Sequence, residues 1–253
     1  MKSVKTERQT WFGCACCPPN IARLFTSLGR YIYGENPERK ELYVHLYIGS
    51  TAKLLWNPPV EIRQQTGYPL DGRIAFTVHA PSETEFTLAL RIPGWCGHAE
   101  LAVNGEPADV PGRTERGYCK IRRVWHDGDR VELRLDMPVR RVRSRPDVRA
   151  NAGCVALMRG PLVYCLEEAD NGPNLKSLVL PKNAPLRLSN DLYLPDGIPA
   201  VEADGFRTDA SPFGENLYSD AEPVQTPCTI RAVPYYLWGN RKPGEMLVWI
   251  REH

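Results

Sequence analysis

No stretch of this sequence stays apolar for more than a few residues, far short of the ~20 consecutive apolar positions a membrane helix needs. Net charge is nearly absent too. Lys and Arg number 32 against 30 Asp and Glu, a balance of +2 with the two signs interspersed. Nucleic acid and anionic membranes are polyanions that call for a basic patch, so neither is expected as a partner. The opening MKSVKTERQTWFG lacks the apolar segment of a secretory leader. G-x-S-x-G, the Walker loop and G-x-G-x-x-G are all missing, which removes the common serine-nucleophile and nucleotide signatures. No carboxylate pair for sugar chemistry can be singled out, because Asp and Glu are spread along probable strand faces and turns.

What is present points to a folded, mainly β chain. A length of 253 residues suits one or two domains at ~150 residues each, and 42% hydrophobic with 25% charged residues argues against disorder. Proline, at 23 of 253, is about twice as frequent as the usual ~5%. Proline interrupts helices and settles at strand ends and turns, so the count favours short strands with many loops.

One helix is legible. After GCACCPPN, the residues Ile21, Leu24, Phe25, Leu28, Tyr31 and Ile32 recur at the spacing of a single buried stripe, and Pro18 and Pro19 suit a first turn. The pattern ends near Gly34, and Glu35–Glu41 reads as a solvated loop. From there the period becomes two. In ELYVHLYIGS, Leu42, Val44, Leu46 and Ile48 share one face, opposite Tyr43, His45 and Tyr47. VEIRQQT, RIAFTVHA, TEFTLALRIP, GYCKIRRVW and DRVELRLDMPV alternate likewise. Asn104-Gly105 and HDGD at 126–129 are hairpin turns. A second β block begins near 145 with GCVALMRGPLVYCLE and continues through Leu175–Leu180, Leu186–Leu188, CTIRAVPYY and EMLVWI. Residues Glu202–Glu222, rich in Asp, Gly, Pro and Ser, read as a long ordered loop or an insertion. The organisation expected is two antiparallel, jelly-roll-like β-sandwiches at 35–144 and 145–253, preceded by a helical segment at 1–34. The stripe of that helix needs a partner, either a sandwich or another part of a longer chain.

Eight cysteines leave the redox compartment open. Cys96, Cys119, Cys154, Cys165 and Cys228 fall in or beside strands and read as core. Cys14, Cys16 and Cys17 crowd into four residues just before the helix, where the positive end of a helix dipole favours a thiolate. Three readings stay open for the cluster: small buried hydrophobes, zinc ligands, or a vicinal disulfide. His45, His79, His98, His126 and His253 form no spaced pair with one another or with a cysteine, so a zinc ion would need ligands from elsewhere. The tryptophans at 11, 56, 95, 125, 238 and 249 fit core packing better than a sugar platform.

RQTWFGCACCPPNIARLFTSLGRYIYG followed by LYVHLYIGS resembles the junction region of glycoside hydrolase family 127, the β-L-arabinofuranosidase family. RIPGW (91–95), GYCKIRRVWHDGDRVELRLDMPVR (117–140), GCVALMRGPLVYCLE (153–167) and VPYYLWGNRKPGEMLVWI (233–250) extend the resemblance over nearly the whole chain. It implies an α/α-barrel catalytic domain followed by two β-sandwiches, with 1–34 the last helix of a barrel otherwise absent from these residues. It also implies a zinc ion bound by both cysteines of the pair together with an upstream Glu and an upstream Cys. Carried over, Cys16 is nucleophile and zinc ligand and Cys17 a second ligand. The acid/base Glu is upstream, so these 253 residues alone are expected to be inactive toward carbohydrate. A non-catalytic carbohydrate-binding or structural module, or one half of a split enzyme, are the alternatives. The cellular address depends on upstream residues, with the cytoplasm slightly favoured, and oligomeric state is not legible.

Overall fold

The structure, a computed structural model, describes residues 8–11, 13–190 and 198–253, so most of the polar opening lies outside it. It is mainly β. Among the described residues, two compact units divide at Met137 and Pro138: one runs from 13 to 137, the other from 138 onward together with 8–11.

The first unit is a two-sheet sandwich entered through α1 (Cys17–Ser27) and α2 (Gly29–Ile32). Its strands are β1 (Tyr33–Asn36), β2 (Glu41–Val44), β3 (Ser50–Leu54), β4 (Val60–Thr66), β5 (Arg73–His79), β6 (Thr84–Arg91), β7 (Ala99–Val103), β8 (Glu106–Ala108), β9 (Thr114–Glu115), β10 (Tyr118–Trp125) and β11 (Arg130–Leu135). One sheet has the order β1-β2-β6-β10-β9 and the other β3-β4-β5-β11-β7-β8. Pairing is antiparallel except for β2 with β6, which is parallel. Alternation in β4, β5 and β11 sends Ile62, Ile74, Phe76, Val131 and Leu133 inward to meet Leu42, Leu88, Leu90 and Ile121 of the facing sheet. Trp125 is fully buried, stacked on Phe86 at 5.3 Å, and its indole N–H donates to the Phe86 carbonyl.

The hairpin at Asn104-Gly105 forms as expected, both residues taking positive φ. Two expectations at the entrance are corrected. The helical pattern stops at Ile32, and Tyr33–Asn36 is a strand paired with Glu41–Val44, so only the turn between them is loop. The two-residue period of ELYVHLYIGS breaks after Val44: His45 and Leu46 both donate their N–H to the Ile32 carbonyl, which leaves Leu46 exposed and Tyr47 buried. At the far end, a Cβ on Gly72 would lie 1.9 Å from the Leu135 carbonyl oxygen, where the chains already share a hydrogen bond. Gly72→Ala must push β11 away from that turn, and the expected loss is about 3 kcal/mol in a urea unfolding curve. An unchanged midpoint would contradict this packing.

The second unit is a single curled sheet. Its strands are β12 (Val139–Val142), β13 (Cys154–Arg159), β14 (Leu162–Glu167), β15 (Leu178–Leu180), β16 (Arg187–Asn190), β17 (Pro199–Asp209), β18 (Val224–Pro234), β19 (Met246–Leu247) and β20 (Ile250–Glu252). The ladder runs β13-β20-β15-β17-β18-β14, and β14 pairs again with β13, so the sheet closes on itself. The pairing of β15 with β20 is parallel. Strand β12 pairs with β13, which places the boundary of the units at 137/138 rather than 144/145.

Residues 202–209 are strand, not loop: β17 and β18 form a long hairpin in register from Val201↔Ala232 to Asp209↔Val224. The polar composition concealed it because the outward positions pair across strands. Glu202 bonds Arg231, and Asp204 meets Arg187 through two hydrogen bonds of 2.9 Å.

A buried charge cluster ties the 239–241 segment to this sheet. Glu167, only 2% exposed at the end of β14, accepts from the Gly239 N–H at 2.8 Å and from Arg241. Arg241 also bonds Asp170 of α4 (Glu168–Asn171), and the Asp170 and then the Glu167 carboxylates hold its guanidinium above its already high ordinary pKa.

Candidate active-site loop

The cysteine pair sits where the chain turns into α1. Cys16 is the N-cap, already in helical conformation, and Pro18 and Pro19 fill first-turn positions whose missing N–H groups would have had no helical partner. No acidic residue occupies that first turn, so the positive helix end faces the thiols unneutralised. The Cys16 and Cys17 sulfurs are 3.7 Å apart, far beyond the ~2.05 Å of a disulfide, and both thiols are free. All three cysteines of the cluster are exposed, which removes the core-residue reading for this chain.

The spacing bears directly on metal binding. A tetrahedral zinc with Zn–S bonds of about 2.3 Å holds two of its sulfurs about 3.8 Å apart, and the separation of the pair matches that distance. Among the described residues no group of three or more His, Cys, Asp or Glu side chains could hold a metal, and the scattered histidines do not converge on the loop.

Two residues that sequence reasoning passed over hold the loop. The Asn20 side-chain amide donates to the Cys16 carbonyl at 3.0 Å, and Arg23 donates to the Asn20 oxygen at 2.7 Å. The signal was available: positions 16, 20 and 23 follow i, i+4, i+7 and share a helix face. The apolar face of α1 has no cover. Ile21 is 53%, Leu24 51% and Phe25 69% exposed, and no α1 residue is buried, whereas Ile32 of α2 is buried in its own unit. The strand cysteines behave as expected for core only in part: Cys119 and Cys165 are buried, and burial pushes Cys165 up to about 12, while Cys96, Cys154 and Cys228 are half-buried.

Family models place these observations. Residues 41–137 match the middle domain of the β-L-arabinofuranosidase family GH127, and residues 139–251 match the glycoside hydrolase family 127 C-terminal domain. The chain belongs to glycoside hydrolase family 127. It is 41% identical to the non-reducing end β-L-arabinofuranosidase of Bifidobacterium longum subsp. longum, with 98% of this chain and 38% of the relative covered. Among solved structures it resembles a GH127 β-L-arabinofuranosidase from Geobacillus stearothermophilus T6, at 49% identity and a TM-score of 0.92 over 99% of this chain and 39% of that one. A further GH127 β-arabinofuranosidase superposes with a TM-score of 0.84 at 32% identity, covering 98% of this chain and 40% of its own. The family 127 chain described here thus spans about two fifths of the length of these relatives.

Proposed function

We propose that this chain is the C-terminal part of a zinc-thiolate glycoside hydrolase that releases terminal β-L-arabinofuranosyl residues with retention of configuration. Cys16 is its nucleophile and a zinc ligand, and Cys17 is a second ligand. The observation that carries the reading is the pair of exposed thiols at tetrahedral spacing on a bare helix N-terminus. The uncovered stripe of α1 supports an upstream barrel packed against it. Bound zinc supplies thiolate character at neutral pH without a separate base.

The remaining chemistry follows from geometry and electron balance. The Cys16 thiolate attacks the anomeric carbon, a C–S bond forms, and the glycosidic C–O bond breaks. A carboxylic acid from the upstream segment protonates the departing oxygen. The same group, now a carboxylate, takes a proton from water as the water oxygen displaces sulfur, which frees arabinose and restores the thiolate. Two inversions give net retention, which requires the acid/base group about 5–5.5 Å from the nucleophile. Asn20 and Arg23 fix the Cys16 backbone, so the sulfur is presented from a rigid turn.

Fusing the upstream segment of the Geobacillus relative to this chain tests the reading. Hydrolysis of a p-nitrophenyl β-L-arabinofuranoside is expected from the fusion and not from the 253-residue chain. Equal activity of the chain alone would sink it.

A further inference from the structure

The first unit carries a concave feature whose lining includes none of the three clustered cysteines. A cavity of about 480 Å³ opens beside the segment after β2 and the loop after β6. That volume lies toward the small end of the range for ligand sites, ~300–1,000 Å³. One wall is aromatic: the Tyr68 and Trp95 rings lie 15° from parallel with centroids 6.5 Å apart, and Tyr47 meets Tyr68 edge-on at 5.7 Å. Arg91 and His45 supply the polar side.

The cavity is held open by groups already satisfied. The Tyr47 hydroxyl donates to the Arg91 carbonyl, and the buried Gln64 amide donates to the Ile48 carbonyl at 2.6 Å, fixing the adjoining wall. His45 Nδ1 shares a 2.7 Å hydrogen bond with the Tyr118 hydroxyl, and its other edge lies against Gly34, where a Cβ would come within 2.5 Å of Nε2. Burial, and after it the Arg91 guanidinium, lower the His45 pKa, so the imidazole is neutral at neutral pH.

Arg91 is the informative residue. It lines the cavity together with His45, Tyr47 and Tyr68. No Asp or Glu lines the cavity, and among the described residues Arg91 forms no ion pair. A guanidinium offers a planar fork matched to a carboxylate, and a flat aromatic wall suits the C–H face of a sugar ring. We infer that this cavity binds a sugar residue bearing a carboxylate, a uronate, with the ring on Tyr68 and Trp95 and the carboxylate on Arg91. The choice of a sugar over other ring-bearing anions rests on the family 127 reading.

Tryptophan fluorescence titration of the 253-residue chain, at constant ionic strength, separates the possibilities with three probes: sodium D-glucuronate, D-glucose and sodium benzoate. Saturable glucuronate binding is expected, with glucose about tenfold weaker because it lacks only the carboxylate. Arg91→Gln, at an exposed position that leaves the core untouched, is expected to weaken glucuronate about tenfold and leave glucose unchanged. Trp95→Ala is expected to weaken both sugars. Absence of glucuronate binding, glucose binding as tightly as glucuronate, or an Arg91→Gln variant that binds like the parent would each overturn the proposal. Benzoate binding as tightly as glucuronate would overturn the sugar assignment. None of these readings involves turnover, so failure here leaves the glycosidase reading standing, and failure of the fusion assay leaves this one measurable.

Discussion

A Cys16→Ser variant of the longer protein is expected to lose arabinofuranosidase turnover by about 10⁴-fold or more, since removing a covalent nucleophile leaves only binding and acid catalysis. Serine keeps the shape of the side chain and its position at the N-cap of α1, so the loss reports chemistry and not the fold. Because Cys16 is also a zinc ligand, its variant loses a corner of the metal site along with the nucleophile, and Cys17→Ser separates the two roles. The nucleophile remains, but one thiolate corner of the metal site is gone, so zinc content measured by atomic absorption falls together with activity. Turnover within tenfold of the parent in Cys16→Ser would remove Cys16 from the reaction. Undiminished zinc in Cys17→Ser would remove Cys17 from the metal.

The second large effect is on stability and lies in the other unit. Arg241→Leu deletes the cation bonded to Glu167 and Asp170; Asp170 keeps Arg231 at 3.7 Å, but Glu167, almost fully enclosed, loses its partner. Removing one partner of such a cluster costs about 3–5 kcal/mol, because a carboxylate is left in a low-dielectric site without its counter-charge. The segment Arg241 anchors, reaching Glu167 through the Gly239 N–H, is expected to loosen with it. Denaturant unfolding of the chain, followed by near-ultraviolet signals from Tyr235 and Trp238, reads both effects. The Glu167→Leu/Arg241→Leu double variant should recover much of the loss, since it takes charge of both signs out of the interior. A single-variant loss below about 1 kcal/mol would show that the cluster is solvated and not enclosed.

Where the sequence was readable, a single physical rule dominated the segment. In β4, β5 and β11 alternate residues are buried, and all of these but Gln64 are apolar, so period two carried the assignment. At Asn104-Gly105 the left-handed backbone selects its own residues. The readings that needed correction lay where long-range contacts compete with local pattern. The chain from Tyr31 to Tyr47 follows helical and then strand periodicity on paper, yet the Ile32 carbonyl, accepting from His45 and Leu46, ends both patterns early. Strand β17 was concealed because its outward side chains, Glu202 and Asp204, find arginines on neighbouring strands, so a polar stretch still folds as sheet. The cysteine pair was visible as a cluster but not as a geometry. Its 3.7 Å spacing and the Asn20–Arg23 support depend on the first turn of α1. The closure of the second sheet through β13 and β14 has no local signature at all.

Trapping the covalent intermediate tests the role of Cys16 most directly. The longer protein would be incubated with an activated β-L-arabinofuranosyl substrate, quenched in acid, digested, and the peptide spanning Cys16 and Cys17 examined by mass spectrometry. One added anhydropentose is expected on that peptide, located on Cys16 by fragmentation and absent from the Cys16→Ser protein. A sugar adduct on a carboxylate instead, with the Cys16 peptide unmodified during active turnover, would contradict it.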